Sequence, residues 1–104
     1  MTNLTSLTLG NNLISDLTPL SGLTNLTVLG LSFNQISDLA PLQDLMTLRE
    51  LKLVNNPVSD LAPLSGLTNL ILLDLRPSQA PDALNNQISD WSPVEHVWLI
   101  EGRP

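Results

Sequence analysis

Serine–aspartate pairs recur four times in this 104-residue sequence, and they are the first candidates for chemistry. They lie in related segments: NNLISDLTP from Asn11, FNQISDLAP from Phe33, NNPVSDLAP from Asn55 and NNQISDWSP from Asn85. A hydroxyl beside a carboxylate could serve nucleophilic catalysis if a base lay within reach. His96 is the only histidine, however, and no triad-like sequence surrounds it. Because every segment has the same pair, the pattern indicates a structural role, and we expect no enzyme activity.

The aspartates of these segments could also bind a cation, since neighbouring parallel strands lie about 4.8 Å apart. Calcium prefers six to eight oxygen ligands, whereas each segment supplies one carboxylate among leucines. The chain has no cysteine, which excludes disulfide bonds, thiolate metal sites and cysteine nucleophiles. We therefore predict no metal and no cofactor. The repeated aspartates are Asp16, Asp38, Asp60 and Asp90.

The net charge of −6 comes largely from these aspartates. The chain has ten acidic and four basic residues, and removing the four repeated aspartates leaves 4 − 6 = −2. Four basic side chains cannot form the positive stripe that a phosphate backbone requires, so we expect no nucleic-acid partner. No segment approaches the roughly 18 consecutive apolar residues of a transmembrane helix, so no membrane insertion is expected.

The four segments belong to a repeat of 22 residues, which predicts the elements that position them. Each unit opens with L-x-x-L-x-L, and asparagine, a β-branched residue, Ser-Asp, leucine and a proline-leucine pair follow, with Trp91 and Val94 in place of leucine in the fourth unit. Alternating leucines predict a strand with one buried face. Ser or Asp before an early proline predicts a capped helical turn. Because one coil cannot bury its own leucines, the pattern predicts a solenoid. The units are 4–25, 26–47, 48–69 and 70–99, with 100–104 as the C-terminal end.

One asparagine of each unit is expected to face inward beneath its strand. An amide both donates and accepts hydrogen bonds, so it can satisfy backbone groups of two adjacent coils. Its loss would leave buried groups unpaired, at a cost of roughly 1–3 kcal/mol each. We predict a structural asparagine ladder that consists of Asn12, Asn34, Asn56 and Asn86.

The fourth unit is interrupted between its strand and its return path. Position 78 is serine where the repeat requires asparagine, and the pattern resumes at Asn86. This spacing implies an insertion of eight residues at about 76–83. Insertions in solenoids often lie on the binding face, but long surface loops are also tolerated at small energetic cost. Both interpretations stay open.

The 22-residue unit LTNLTVLGLSFNQISDLAPLQD resembles the leucine-rich repeat of the bacterial internalin class, over residues 2–75 and 84–97. The resemblance implies an α/β leucine-rich repeat solenoid. This is a short right-handed stack of coils with a parallel sheet on the concave face and 3-10 or helical turns on the convex face. It also implies protein binding. A piece of a longer internalin-like protein would be at the cell surface or secreted. A chain complete as given, with no secretory signal at its N-terminus, would be cytoplasmic.

The third, fifth and seventh positions of each L-x-x-L-x-L-x segment are expected on the concave side. They are small and mostly polar in the first two coils, and larger or charged in the last two. Aromatic, aliphatic and arginine side chains together are typical of interface centres. The alternatives are that the charges only pair in solvent, or that the chain is a structural or capping fragment without a ligand. The predicted protein-binding surface comprises the 76–83 insertion and Phe33, Glu50, Lys52, Leu72, Asp74 and Arg76.

The two ends of the stack are expected to differ. Trp91 and Trp98 should cover the last coil, with partner binding as the alternative role, and Ile100 falls at the first position of a fifth unit. At the front, only residues 1–3 precede the first coil, so one side of its leucines lacks a covering layer. Its strand is then an open edge. We expect residues 4–25 to fray or to self-associate, with two-fold pairing favoured over front-to-back stacking.

Overall fold

Five short parallel strands form a single sheet in this computed structural model, which describes residues 3–77 and 86–102. The strands pair in chain order, and a 3-10 turn follows each of the first four. Within the described ranges the return paths contain 3-10 turns and no α-helix. The strands are β1 (Ser6–Thr8), β2 (Val28–Gly30), β3 (Glu50–Lys52), β4 (Leu72–Asp74) and β5 (Leu99–Glu101). The 3-10 turns are η1 (Thr18–Leu20), η2 (Ala40–Leu42), η3 (Ala62–Leu64) and η4 (Ser92–Val94).

The strand register places equivalent residues of successive repeats side by side. Leu7 pairs with Leu29, Leu29 with Leu51, and Leu51 with Leu73, so the middle residue of each strand stacks on its equivalent in the next coil. The flanking strand residues alternate to the other face because side chains of a strand point in opposite directions. This arrangement confirms the predicted leucine-rich solenoid.

The core is a column of aliphatic side chains enclosed between the sheet and the return paths. Leu29, Leu51 and Leu73 are fully buried, as are the leucines that follow the 3-10 turns of the second and third coils. Each fully buried leucine contributes about 1.5–3 kcal/mol relative to exposure. Coils two and three bury their sets completely because each has a neighbour on both sides. The stack, not the single coil, is therefore the unit of stability.

The aspartate of each Ser-Asp pair orients the return path. The Asp16 carboxylate accepts a hydrogen bond from the Thr18 N–H at 2.9 Å, and equivalent bonds of 2.9–3.0 Å occur at Asp38, Asp60 and Asp90. These N–H groups begin the 3-10 turns, where a backbone donor has no partner within the turn. Proline occupies one of the first two positions of every turn. The N-cap residue itself is Leu or Trp and makes no side-chain hydrogen bond, so the bond expected from Ser-Asp comes from the aspartate one position before the N-cap.

The strand after the fourth coil is not in the register that the repeat predicts. The register put Ile100 at the first position of a fifth unit, but Ile100 pairs with Leu73 at the centre of β5. Leu23 and Leu29 are six residues apart, whereas the equivalent Val97 and Ile100 are three residues apart. The turn between return path and strand is three residues shorter here, and the sheet gains a fifth strand.

Trp91 and Trp98 do not share the covering role expected of them. Trp91 is partly buried and packs against the hydrophobic core, which fits a covering function. Trp98 is 86% exposed and covers no part of the last coil. Trp98 is exposed because the shortened turn places it directly before β5. The side chains at this position in the two preceding coils also face solvent.

Candidate protein-binding surface

The outer face of the sheet consists of two rows of side chains, one from the first and one from the third residue of each strand. In β1 and β2 these residues are small or only moderately large. In β3 to β5 they are long or charged, and they are brought side by side by the register. We call the outer face of β3, β4 and β5 the sheet face. The first row reads Ser6, Val28, Glu50, Leu72, Leu99, and the second Thr8, Gly30, Lys52, Asp74, Glu101.

Leu72 lies at the centre of the first row. It pairs with Glu50 on one side and with Leu99 on the other. Leu72 is partly exposed and Leu99 is 39% exposed, so two neighbouring leucines form an apolar strip on an otherwise polar face. Lys52 is exposed in the second row, beside Asp74. The strand register therefore places Glu50, Lys52 and Leu72 on neighbouring positions of β3 and β4.

Arg76 links the end of the sheet face into an ion-pair network. Its Nε and Nη2 donate to the two carboxylate oxygens of Asp74 at 2.9 and 2.8 Å. Its Nε also lies 3.1 Å from a carboxylate oxygen of Glu101. The Arg76 side chain remains 59% exposed, while Asp74 is only 5% exposed. Asp74 therefore orients Arg76 and offers little surface of its own to a partner.

The environment of Asp74 combines two opposing effects on its pKa. Burial raises the pKa of this carboxyl, but the hydrogen bonds and the charge of Arg76, with a smaller contribution from Lys52, outweigh it. The net result is a pKa below the ordinary value, so Asp74 stays ionised and holds Arg76 in place. The pKa of Arg76 is raised by its hydrogen bond to Asp74, by the negative charge of Asp74 and by the negative charge of Glu101.

Phe33 lies beyond the end of β2 in an unusual backbone conformation. Its φ angle is +62°, in the left-handed region that non-glycine residues rarely adopt. Asn11 and Asn55 occupy the same repeat position with φ angles of 60° and 58°. Asparagine tolerates this conformation because its side chain can bond to the local backbone, whereas phenylalanine cannot. Phe33 is also 40% exposed, which makes it a strained, solvent-facing aromatic residue.

An exposed row directly before the strands escaped the sequence analysis. This row consists of Arg49, Ile71 and Trp98, which occupy equivalent positions in successive coils. Backbone hydrogen bonds connect the row: the Ile71 N–H donates to the Arg49 carbonyl, and the N–H of Leu99, which follows Trp98, donates to the Ile71 carbonyl. Ile71 is 42% exposed and Trp98 86%. Arg49 and Ile71 border a shallow cleft of about 390 Å³. The second position of L-x-x-L-x-L reads Thr5, Thr27, Arg49 and Ile71 in the first four units, whereas Trp98 joins this row only through the shortened turn before β5.

The asparagine column divides into inner and outer members. The Asn34 amide oxygen accepts from the Ile14 N–H at 3.1 Å, and its nitrogen donates to the carbonyls of Leu9 and Leu31. Asn56 makes the two equivalent bonds between coils, from the Ile36 N–H and to the Leu31 carbonyl, and is fully buried.

The outermost asparagines of the column differ. Asn86 is half-buried and donates to the Leu75 carbonyl. Asn12 is exposed and donates only to the carbonyls of Leu9 and Gly10 in its own coil. Asn12 therefore does not bridge coils, because the described residues provide no coil in front of it.

The histidine and the acidic side chains of the described residues are not grouped into a candidate metal site. His96 is exposed, and its Nε2–H donates to the Leu67 carbonyl at 2.9 Å. Residues 3–77 and 86–102 contain no cluster of three or more His, Cys, Asp or Glu suited to a metal ion. The same ranges hold no helix with the length and apolarity of a membrane span. Arg76 and Pro77 of the 76–83 insertion are described; the rest of it lies outside the described residues.

Comparison with known proteins agrees with this architecture. Residues 2–44 match the family described as leucine rich repeats (2 copies). Internalin C2 of Listeria monocytogenes is 38% identical with a TM-score of 0.81, and the internalin InlF of the same organism is 38% identical with a TM-score of 0.83. The chain is a leucine-rich repeat protein. Within that class its repeats are internalin-like.

These relatives are considerably longer than this chain. The alignments cover 95% of this chain but only 42% of internalin C2 and 28% of InlF. The functional domain of InlJ from Listeria monocytogenes, described as including a cysteine ladder, is 20% identical, with a TM-score of 0.57 and 96% of this chain covered, and it shares the fold alone. The present chain has no cysteine. No curated protein sequence matches it significantly.

Proposed function

We propose that this chain binds another protein through the sheet face, on the concave side of the later coils, together with the 76–83 insertion. The observation that supports this best is the partly exposed apolar strip of Leu72 and Leu99, which lies beside Glu50 in the first row, next to the second row, where Asp74 and Glu101 bind Arg76. A solenoid needs no exposed leucine pair for its own stability. Centres of protein interfaces are typically apolar and flanked by arginine and other polar residues.

The ion pairs of Arg76 hold its side chain in one orientation on this surface. Because Asp74 and Glu101 hold the guanidinium from two strands, Arg76 loses little side-chain freedom when a partner binds. The row of Ile71 and Trp98 extends the apolar strip toward the start of the strands. Tryptophan and arginine are the residues most often found at energetic hot spots. We therefore include Trp98 in the proposed surface beside the residues predicted from the sequence.

The test is a binding screen of the chain against a panel of purified proteins, followed by variants. Lys52→Ala, Leu72→Ala and Arg76→Ala should each weaken the binding of a genuine partner about fivefold or more, since truncation of an energetically important interface residue costs more than about 1 kcal/mol. Thr18→Ala, exposed on the return path of the first coil, should change the affinity less than about twofold. A partner that responds to Thr18→Ala and ignores the other three variants would refute the proposed surface.

Phe33 provides an independent check of its predicted role in binding. Phe33→Asn installs the residue found at this repeat position in the first and third coils, so it should raise stability by about 1 kcal/mol by removing left-handed strain. If Phe33 contacts the partner, the same substitution lowers affinity while the melting temperature rises. Unchanged affinity would remove Phe33 from the binding surface.

The alternative function is that of a structural or capping segment within a longer repeat protein. The observation that favours it is the partly exposed leucine set of the first coil, which resembles an interface between repeats. The screen separates the two functions, because a structural segment binds no partner through β3 to β5. Neither proposal assigns catalysis to the chain.

A further inference from the structure

The shallow cleft between the third and fourth coils, at the start of their strands, has a mainly polar lining. Its volume is about 390 Å³, and every residue that lines it is exposed. The lining residues are Thr47, Arg49, Thr68, Asn69 and Ile71. Four of these five side chains are polar, in contrast to the apolar strip of Leu72 and Leu99 on the neighbouring sheet face. The cleft therefore offers a partner of the sheet face a place for a polar group.

Arg49 is a cation without a counter-ion among the described residues. The ion pairs found in residues 3–77 and 86–102 belong to Arg76, whose donors are taken by Asp74 and Glu101. Glu50, which follows Arg49 in the sequence, does not pair with it in these ranges. A guanidinium has five N–H donors in a fixed fork. Because no described residue uses them, the whole fork of Arg49 is available to a ligand.

Two backbone N–H groups of the cleft are also free of described partners. The third and fourth coils are entered through tight turns, residues 45–48 and 67–70, and a bond of 3.0 Å from the fourth N–H to the first carbonyl closes each turn. Thr47 and Asn69 are the third residues of these turns, and their N–H groups bond to no described residue. Backbone N–H groups of turns that line a concave surface favour an anion.

Arginine at this position is not explained by the fold. The second residue of the unit is threonine in the first two coils and isoleucine in the fourth. In the second coil the Thr27 hydroxyl donates to the Thr5 carbonyl at 3.1 Å, so threonine here contributes to the stacking of coils. Arg49 makes no such bond, and its side chain is exposed. A ligand for the guanidinium accounts for the arginine, whereas the packing of the coils does not.

We propose that this cleft binds the carboxylate of an acidic side chain of the partner protein, an inference that rests on the proposed binding function. Arg49 donates to both carboxylate oxygens, and the free N–H groups of the two turns are the further donors. The partner segment continues over Ile71 and Trp98, which are 42% and 86% exposed. Its acidic residue is therefore followed or preceded by an apolar residue, which gains free energy by covering these two side chains.

The charge of the cleft favours a carboxylate over a phosphate group. Among the described residues, Arg49 is the only cation that lines it. Its single positive charge matches a singly charged carboxylate, which a guanidinium binds through two parallel hydrogen bonds. A phosphate monoester carries up to about two negative charges at neutral pH. The second charge would have no cation in the cleft, and the net charge of −6 on the chain would repel it.

The experiment titrates the isotope-labelled chain with the peptide acetyl-Glu-Leu-amide and follows the backbone amide signals by NMR. The amides of Thr47 and Asn69 should shift until they saturate, with a dissociation constant in the millimolar range, because one exposed ion pair contributes little free energy. Acetyl-Gln-Leu-amide has nearly the same shape without the charge and should cause no saturable shift at these two amides. Inorganic phosphate should bind more weakly than the glutamate peptide.

Variants of Arg49 test its role in the same titration. Arg49→Gln should weaken binding of the glutamate peptide about fivefold or more. Arg49→Lys keeps the charge but loses the fork, so it should retain only part of the affinity. Gln35→Glu is the matched control: like Arg49→Gln it changes the net charge to −6 − 1 = −7, but it lies exposed on the return path that follows β2. It should change the affinity less than about twofold.

The outcomes separate this inference from the proposed function, because the peptide titration needs no partner. Absent shifts at Thr47 and Asn69, equal shifts with both peptides, tighter binding of phosphate, or an unchanged affinity in Arg49→Gln would each overturn the inference. A partner of the sheet face that binds Arg49→Gln with full affinity would overturn it as well, while the proposed function would stand. The proposed function is refuted separately, by the response of a partner to the variants of the sheet face.

Discussion

Asn56 shows how one residue type takes different roles at one repeat position. Its amide joins the Ile36 N–H of its neighbouring coil to the Leu31 carbonyl, at 3.0 and 2.9 Å, in a fully buried setting. Asn12 occupies the same column but bonds only to exposed carbonyls of its own coil. The energetic weight of the column therefore depends on whether a coil lies in front of the asparagine.

Asn56→Ala and Asn12→Ala form a matched pair that tests this difference. Asn56→Ala leaves the buried Ile36 N–H without a partner and removes one of the two amides that donate to the Leu31 carbonyl, which should lower the free energy of unfolding by at least about 1 kcal/mol. Asn12→Ala removes only solvent-exposed bonds and should cost less than about 0.5 kcal/mol. Urea denaturation of both variants measures the two changes. Equal losses would contradict the assignment of the bridging role to the inner asparagines.

At the scale of elements, β5 is the least expected part of the fold. It forms because the turn after η4 is three residues shorter than in the other coils, and because Gly102 adopts a φ angle of +94° immediately behind it. A Cβ atom at Gly102 would lie 2.7 Å from the Leu75 carbonyl group and the Arg76 nitrogen. This close approach holds β5 against β4 and brings Glu101 to Arg76.

Gly102→Ala should therefore detach β5. Steric contact and left-handed strain together should cost about 2 kcal/mol or more, and the amides of Leu75 and Leu99 should exchange faster because their acceptors move away. Gly66→Ala serves as the control, since its Cβ would meet nothing within 4 Å. The control should be neutral or slightly stabilising. Native-like exchange at Leu75 in Gly102→Ala would show that β5 does not depend on this glycine.

The sequence predicted the elements that repeat and missed those that do not. Strand positions, 3-10 turns and the inward leucines follow from a period that four units share, so each unit supports the interpretation of the others. The exposure of Trp98 and the pairing of Ile100 depend on a turn that occurs once, where no second copy fixes the register. The sequence also did not predict the burial of Asp74 under Arg76. Arg76 is held there by Glu101 as well, and only the unexpected strand β5 brings Glu101 to Arg76.

At the scale of the whole molecule, the acidic residues couple stability to pH. The pKa values of Asp16 and Asp90 are lowered by hydrogen bonds from Thr18 and Ser92, side-chain hydroxyl first and then backbone N–H. At Asp74, burial raises the pKa but the bonds and charge of Arg76 lower it further. All three carboxyls bind protons more weakly in the folded chain than in the unfolded chain. Their contribution to stability is therefore present above the ordinary aspartate pKa of about 4 and is lost as pH falls through the folded values.

Stability should accordingly decrease as the pH falls below the isoelectric point of about 4.2. Above that point, neutralising the net negative charge relieves repulsion and offsets the effect, whereas below it growing positive charge acts in the same direction. Denaturation curves between pH 6 and pH 2.5 check this expectation. Asp90→Asn keeps an oxygen acceptor for the Ser92 N–H, so it should flatten the acid limb of the curve. A stability that stays constant below pH 4 would contradict the coupling.

The constant offset of 22 residues between paired strands also sets the order in which the chain can fold. Each coil closes a loop of the same length, so the entropic cost of adding a coil does not grow with the number already formed. Nucleation is favoured in the second and third coils, whose leucines gain a buried layer on both sides, and folding then spreads outward. The step from β4 to β5 spans 99 − 72 = 27 residues across the insertion and yields a single edge strand. It should be the last contact made and the first one lost.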